Sequence, residues 1–120
     1  NRDLNIVYVT SIVGNHGFKD LSSYAASKMA MEGFMKSAAV EYGNKSIRIN
    51  MVAPGFIKTS YHKKFIKNQK KLNKWILNRT PMGRWGEPNE VSNVIEFLIS
   101  EKSSYITGST IFVDGGWNIA

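Results

Sequence analysis

Three short apolar runs punctuate the chain: LNIVYVTS at 4–11, IRINMVAP at 47–54 and STIFVDGG at 109–116. Each is rich in β-branched residues and is followed by turn formers, the pattern of strands covered on both faces. Between them the period changes to that of helices. Residues 22–42 place Ala, Met and Phe at helical spacing, with Ser22 or Ser23 available as a cap and Gly43-Asn44 as a stop. The intervening IVGNHGFKDL (12–21) reads as a loop. Residues 60–79 scatter Tyr61, Phe65, Ile66, Leu72, Trp75 and Ile76 over a lysine-rich background and predict a mobile helical segment. TPMGRWGEP (80–88) is a turn-rich connector. Its Pro88 suits the first turn of a helix running to about Ser100, with Val91, Val94, Ile95, Leu98 and Ile99 as the apolar face.

Strand, helix, strand, helices, strand is the order of a parallel sheet joined by crossovers, and the expected class is α/β. Three strands are few for a doubly wound sheet, and the first would leave a long apolar edge bare unless a further strand covers it. The 120 residues suffice for one domain, and a hydrophobic content of 42% excludes a disordered chain. There are no cysteines, which excludes disulfides and thiolate-bound metal. The apolar runs are far too short for a membrane span, and NRDLNIVYVT lacks the apolar core of a leader, so a cytoplasmic location is the expectation.

Candidate chemistry centres on Tyr24 and Lys28, which share a helix face at i and i+4. A free phenol titrates near pH 10 and is a poor acid–base group at neutrality, roughly three units away. A nearby ammonium favours the phenolate and would let it exchange a proton with a carbonyl or alcohol oxygen. Such a pair is common by chance; on its own it reads as a core tyrosine and a surface lysine. Ser11 changes the picture. It ends the first strand, where ligands gather in parallel sheets, thirteen residues before Tyr24 and across a glycine-containing loop. The chain can fold back there and bring the serine hydroxyl to the same oxygen. By itself Ser11 could equally bond its own turn. Ile12 and His16 follow it as candidate substrate contacts, although a loop histidine is more often merely exposed. His16 and His62 lack neighbouring acids, so no metal site is expected.

The series VTSIVG, SSYAASK, IRINMVAPGFIKT, PMGRWGEPNEV and SSYITGSTIFVDGGW resembles, in order and spacing, the short-chain dehydrogenase/reductases, and most of all their 3-oxoacyl-reductase-like branch. The resemblance covers 5–117 and implies a Rossmann-type doubly wound parallel sheet. It also implies the C-terminal catalytic half alone, residues 1–120 holding the fifth to seventh strands and flanking helices. The half with the glycine-rich pyrophosphate turn and the family's catalytic asparagine is then absent. The resemblance implies hydride transfer between NAD or NADP and a carbonyl or secondary alcohol. Ser11 would polarise the substrate oxygen, Tyr24 would be the acid–base residue, and Lys28 would tune it and bond the nicotinamide ribose. Pro54 and Gly55 would lie beside the nicotinamide, with Gly55 sparing a clash against the flat ring, and Ile57 and Thr59 would meet carboxamide and phosphate. A non-catalytic half-domain that serves binding or oligomerisation is the alternative.

The net charge of +7 is local: residues 58–79 hold eight cations and no carboxylate. The resemblance places the substrate lid there. The segment could steer an anionic substrate, but lysine stems over Trp75 and Phe65 forming a solvated face is the plainer reading; nucleic-acid binding is the weakest, since the charge is confined to one element. The small residues 25, 26, 30, 33, 38 and 39 suit close helix packing, and Asp114-Gly115-Gly116 reads as a turn. In the resembling family both regions commonly join subunits, which implies a dimer or tetramer. Arg84 is expected to hold the connector by pairing with Glu87.

Overall fold

A computed structural model describes residues 3–120; Asn1 and Arg2, which open the stretch read as too polar for a leader, lie outside them. The elements run β1 (Leu4–Val9), α1 (Ser22–Tyr42), β2 (Ile47–Pro54), α2 (His62–Asn68), α3 (Lys70–Arg79), α4 (Pro88–Ile99) and β3 (Thr110–Val113). The three strands form one parallel sheet in the order β1-β2-β3. Ile6 pairs with Ile49, Tyr8 with Met51 and Val52 with Ile111.

Alternation along β2 assigns its two faces. Ile49 and Met51 point to α1, where Met35, Ala38 and Ala39 complete a buried cluster flanked by Ile6 and Tyr8. The small Ala38 and Ala39 let α1 lie close to the strand. Arg48 and Asn50 point the other way, toward α4 and the turn after it. β2 is therefore covered on both faces, which is why IRINMVAP reads as an unbroken run. β1 lies at the sheet margin, and among the described residues its outer edge has no partner strand.

Arg48 is the one charged residue of β2. Its guanidinium donates to the carbonyls of Leu98 (3.1 Å), Ser100 (3.0 Å), Ser103 (2.8 Å) and Ile106 (3.3 Å), and to Ser103 Oγ (2.9 Å). Leu98 is in the last turn of α4, where carbonyls lack helical partners and the helix dipole favours a positive charge. The side chain thus clips α4 and the turn 101–103 to the sheet.

Several boundaries differ from the sequence expectation. β1 stops at Val9 and β3 at Val113, shorter than the apolar runs. Neither Ser22 nor Ser23 caps α1: Asp20 takes a left-handed conformation (φ 64°), the helix starts from Leu21, and both serines already lie within its first turn. At the far end Gly43 stays right-handed and the chain continues as a 3-10 turn; Ser46 (φ 57°) makes the reversal instead. The segment 60–79 is two helices broken at Gln69, whose extended φ of −128° interrupts the helical run.

Replacing Arg48 by Met would take one donor from each of four carbonyls that keep a second partner in Ser103, Ile106 or Asn50, and the expected loss is about 1–2 kcal/mol in chemical denaturation. Arg48→Lys should lose less, because an ammonium keeps a charge at the helix end but cannot span four carbonyls.

Candidate active site

The loop between β1 and α1 determines where Ser11 sits. Thr10 N donates to Val52 O (2.8 Å) and Ile12 N to Pro54 O (3.1 Å), so the parallel pairing outlasts the strand itself. Ser11 lies between these two bonds, at the carboxyl end of the sheet. Its Oγ accepts the Val13 N–H at 3.1 Å, which fixes the rotamer and leaves the hydroxyl proton free to donate. Ser11 therefore does bond its own turn, and does so while facing a cavity. Gly14 brings the loop back onto α1: its φ is +117°, and a Cβ there would lie 2.7 Å from Met29 Cγ.

That cavity has a volume of about 430 Å³. Ser11, Tyr24, Pro54, Gly55, Ile57 and Thr59 all line it, so six of the residues singled out from the sequence converge. Tyr24, on the first turn of α1, is 44% exposed. Lys28 stands one turn further along, its Nζ 5.5 Å from the Tyr24 ring centroid and 3.4 Å from Val9 O, to which it donates. Ile12 and His16 lie elsewhere. Ile12 is buried at 2% exposure, and His16 Nε2 lies 3.1 Å from Asn118 O and 3.0 Å from Asn118 Oδ1. Thr10, Phe56, Trp85 and Val91 complete the wall without having been singled out. Only tertiary structure brings Trp85 and Val91 here, from the connector and α4.

Gly55 has a reason other than a flat ligand. A Cβ at this position would lie 2.8 Å from Asp114 Cβ and 2.9 Å from its Cα, so the turn after β3 already demands glycine. Ile57 forms a β-bridge with Gly86: Lys58 N donates to Gly86 O (2.8 Å) and Gly86 N to Phe56 O (2.9 Å). In an extended backbone these directions alternate, so Ile57's own N–H and C=O point away from Gly86.

The wall of the cavity is held by ion pairs and aromatic rings. Arg84 pairs with Glu90 through both nitrogens (2.8 and 2.7 Å), not with Glu87 as expected. Glu90 occupies the third position of α4 and also accepts the Glu87 N–H at 2.8 Å, which turns it toward Arg84. Glu87 instead binds Lys58. Trp85 is buried, donates from Nε1 to Asn73 Oδ1 (2.8 Å), and packs against Phe56, His62 and Phe65. Phe65 is thus covered by an indole, and Trp75 meets Arg79 and Trp117. Aromatic contacts, rather than lysine stems, seat the basic helices. Among the described residues no group of three or more His, Asp or Glu could hold a metal, and no helix is long and apolar enough to cross a membrane.

Parallel strands with helices on both faces and a cavity at their carboxyl ends define the Rossmann-type α/β class. A family model described as enoyl-(acyl carrier protein) reductase matches residues 1–118. A 3-oxoacyl-(acyl-carrier-protein) reductase of Thermotoga maritima is 45% identical over 115 residues, 96% of this chain and 46% of that protein. Among solved structures, 4-hydroxyisoleucine dehydrogenase complexed with NADH has a TM-score of 0.89 at 35% identity, covering 96% of this chain and 47% of that one. Gluconate 5-dehydrogenase of Burkholderia cenocepacia, with NADP and tartrate, has a TM-score of 0.88 at 30% identity, covering 96% and 45%. The chain belongs to the short-chain dehydrogenase/reductase family of oxidoreductases and spans about half the length of these relatives.

The Arg84 guanidinium, followed by the Glu87 N–H, lowers the Glu90 carboxyl from 4.5 to about 2. The folded value lies below the unfolded one, so the pair's contribution to stability is present above about pH 4.5 and is lost as pH falls through about 2. The stability gap between the native chain and Glu90→Gln should therefore be constant from pH 8 to roughly 5 and shrink below it. Denaturant midpoints across this range check it; a gap independent of pH would contradict the pairing.

Proposed function

We propose that this chain supplies the proton-transfer and substrate-orienting half of an NAD(P)-dependent oxidoreductase acting on a carbonyl or secondary alcohol. The observation that carries this is the convergence of the Ser11 and Tyr24 hydroxyls on one cavity at the carboxyl end of the sheet. In reduction, Tyr24 gives its proton to the substrate oxygen; in oxidation it takes the proton from the alcohol. Ser11, its acceptor side occupied by Val13 N–H, donates to the same oxygen and stabilises the charge that develops there. Lys28 places a cation beside the phenol, where it supports the phenolate once the proton has left.

The cavity wall also suits a nicotinamide. A carboxamide needs one donor and one acceptor, and the Ile57 N–H and C=O, turned away from Gly86, provide that pair. Thr59 adds a hydroxyl at the rim for a phosphate, and Pro54 and Gly55 give a wall of little side-chain bulk for the ring; Lys28, outside this lining but one turn along α1 from Tyr24, would bond the ribose. When bound, such a cofactor supplies or accepts the hydride. The 4-hydroxyisoleucine dehydrogenase complex with NADH and the gluconate 5-dehydrogenase complex with NADP support this reading.

Residues 58–79 serve as the lid over this site. With Lys58 paired to Glu87, the lysines of α2 and α3 remain for an anionic substrate. The outward side of α1, where Phe34 and Val40 are exposed, meets a second copy of the chain. The glycine-rich turn for the pyrophosphate has no counterpart in these 120 residues and comes from a further segment.

In the assembled enzyme, Tyr24→Phe should lower kcat by about 10³-fold while NAD(P)H affinity stays within about twofold. Equal turnover would end the assignment. The 120 residues on their own should show no micromolar affinity in fluorescence titrations with NADH or NADPH; saturable micromolar binding would contradict the division of labour.

A further inference from the structure

Trp117 is buried to 1% exposure, and parts of the fold far apart in sequence meet on it. Phe18 stacks on its ring at 5.4 Å and 19°, and His16 meets it edge-on at 5.1 Å; both belong to the loop that carries Ser11. From α3, Trp75 meets it at 5.9 Å and the Arg79 guanidinium lies over its face at 4.3 Å. The indole is anchored through the turn before it. Asp114 accepts from Gly116 N (2.9 Å) and Asn118 N (2.8 Å), and Gly116, at φ 86°, packs against Pro81.

Two further observations bear on what the contact does. Trp117 Nε1 and Arg79 Nε are both buried with no hydrogen-bond partner among the described residues. Ring packing and cation–π attraction therefore fix this junction, and these depend on how α3 is seated. On the loop side, a short series of contacts leads from the indole to the site. His16 bonds Asn118 and forms a β-bridge with Val13, and the Val13 N–H is the donor that orients Ser11 Oγ. Two acceptors face His16 Nε2, which is therefore the protonated nitrogen.

We propose that Trp117 is a positioning residue that couples α3 of the lid to the Ser11 hydroxyl through His16 and Val13. This rests on the reading that Ser11 and Tyr24 share the substrate oxygen. With α3 seated, Arg79 and Trp75 press the indole against His16 and Phe18, and Ser11 is held in its donating rotamer. With α3 lifted, Val13 loosens and the rotamer is released.

The test uses the assembled enzyme with Arg79→Ala on the lid side, Phe18→Ala on the loop side, and the double variant. Arg79 and Phe18 meet through Trp117. Each single variant should lose about tenfold in kcat with little change in substrate KM, and the double should lose about the same tenfold rather than a hundredfold. In a Trp117→Leu background neither change should lower kcat further, and Trp117→Phe should recover most of the activity. A readout independent of turnover is hydrogen exchange at the Val13 amide, which Arg79→Ala should speed about tenfold although the two residues lie on separate elements. Additive kcat losses, or an unchanged Val13 exchange rate, would overturn the coupling. Tyr24→Phe serves as the control: a variant that keeps its activity refutes the reading of the site itself, whereas a silent one leaves any failure with the coupling alone.

Discussion

Continuation of parallel pairing beyond the end of β1 is the constraint on which the site depends. Two backbone bonds, Thr10 N to Val52 O and Ile12 N to Pro54 O, carry the loop along β2 for three residues after the strand has ended. Ser11, between them, is delivered to the carboxyl edge of the sheet beside Pro54 and Gly55. Were the loop to leave at Val9, the serine would have no fixed relation to Tyr24. Because β2 is covered on both faces, by α1 and by the Arg48-clipped α4, the template for this pairing is rigid. The stability of the core and the geometry of the site are thus linked through one strand.

The second determinant is the way the basic segment is held. A stretch with eight cations and no acid would repel itself if its charges were close. Glu87, from outside the stretch, neutralises Lys58, and two indoles take the apolar side of α2 and α3. Trp85 fixes α3 to the connector through Asn73, and Trp117 joins the same helix to the C-terminal turn through Arg79. The remaining lysines of α2 and α3 are exposed to solvent, where screening keeps their mutual repulsion small.

The sequence reveals those parts of the fold that depend on local pattern. β2 and α1 fall on the spans their periodicities predict, because burial on both faces and helical spacing act within each element. The convergence of Ser11 and Tyr24 on one cavity was also legible, from strand end, glycine loop and helix start, strengthened by the family resemblance. Other features were hidden because they arise between distant residues. A left-handed Asp20 displaces the expected serine cap, and no glycine or proline marks the break at Gln69. Arg48 reads as a stray charge in a strand until the carbonyls around Ser100 surround it. Arg84 chooses Glu90 over the nearer Glu87 because the start of α4 orients that carboxylate. Gly55 is required by Asp114, fifty-nine residues away, a contact that no spacing within the Pro-Gly turn could disclose.

The central claim is that two hydroxyls, one from a strand end and one from a helix, act on a single oxygen atom. A crystal structure of the assembled enzyme with cofactor and a carbonyl or alcohol substrate analogue measures this directly. The account predicts Ser11 Oγ and Tyr24 Oη both within about 3.2 Å of the same substrate oxygen. A substrate oxygen bound elsewhere, with either hydroxyl beyond reach of it, would contradict it.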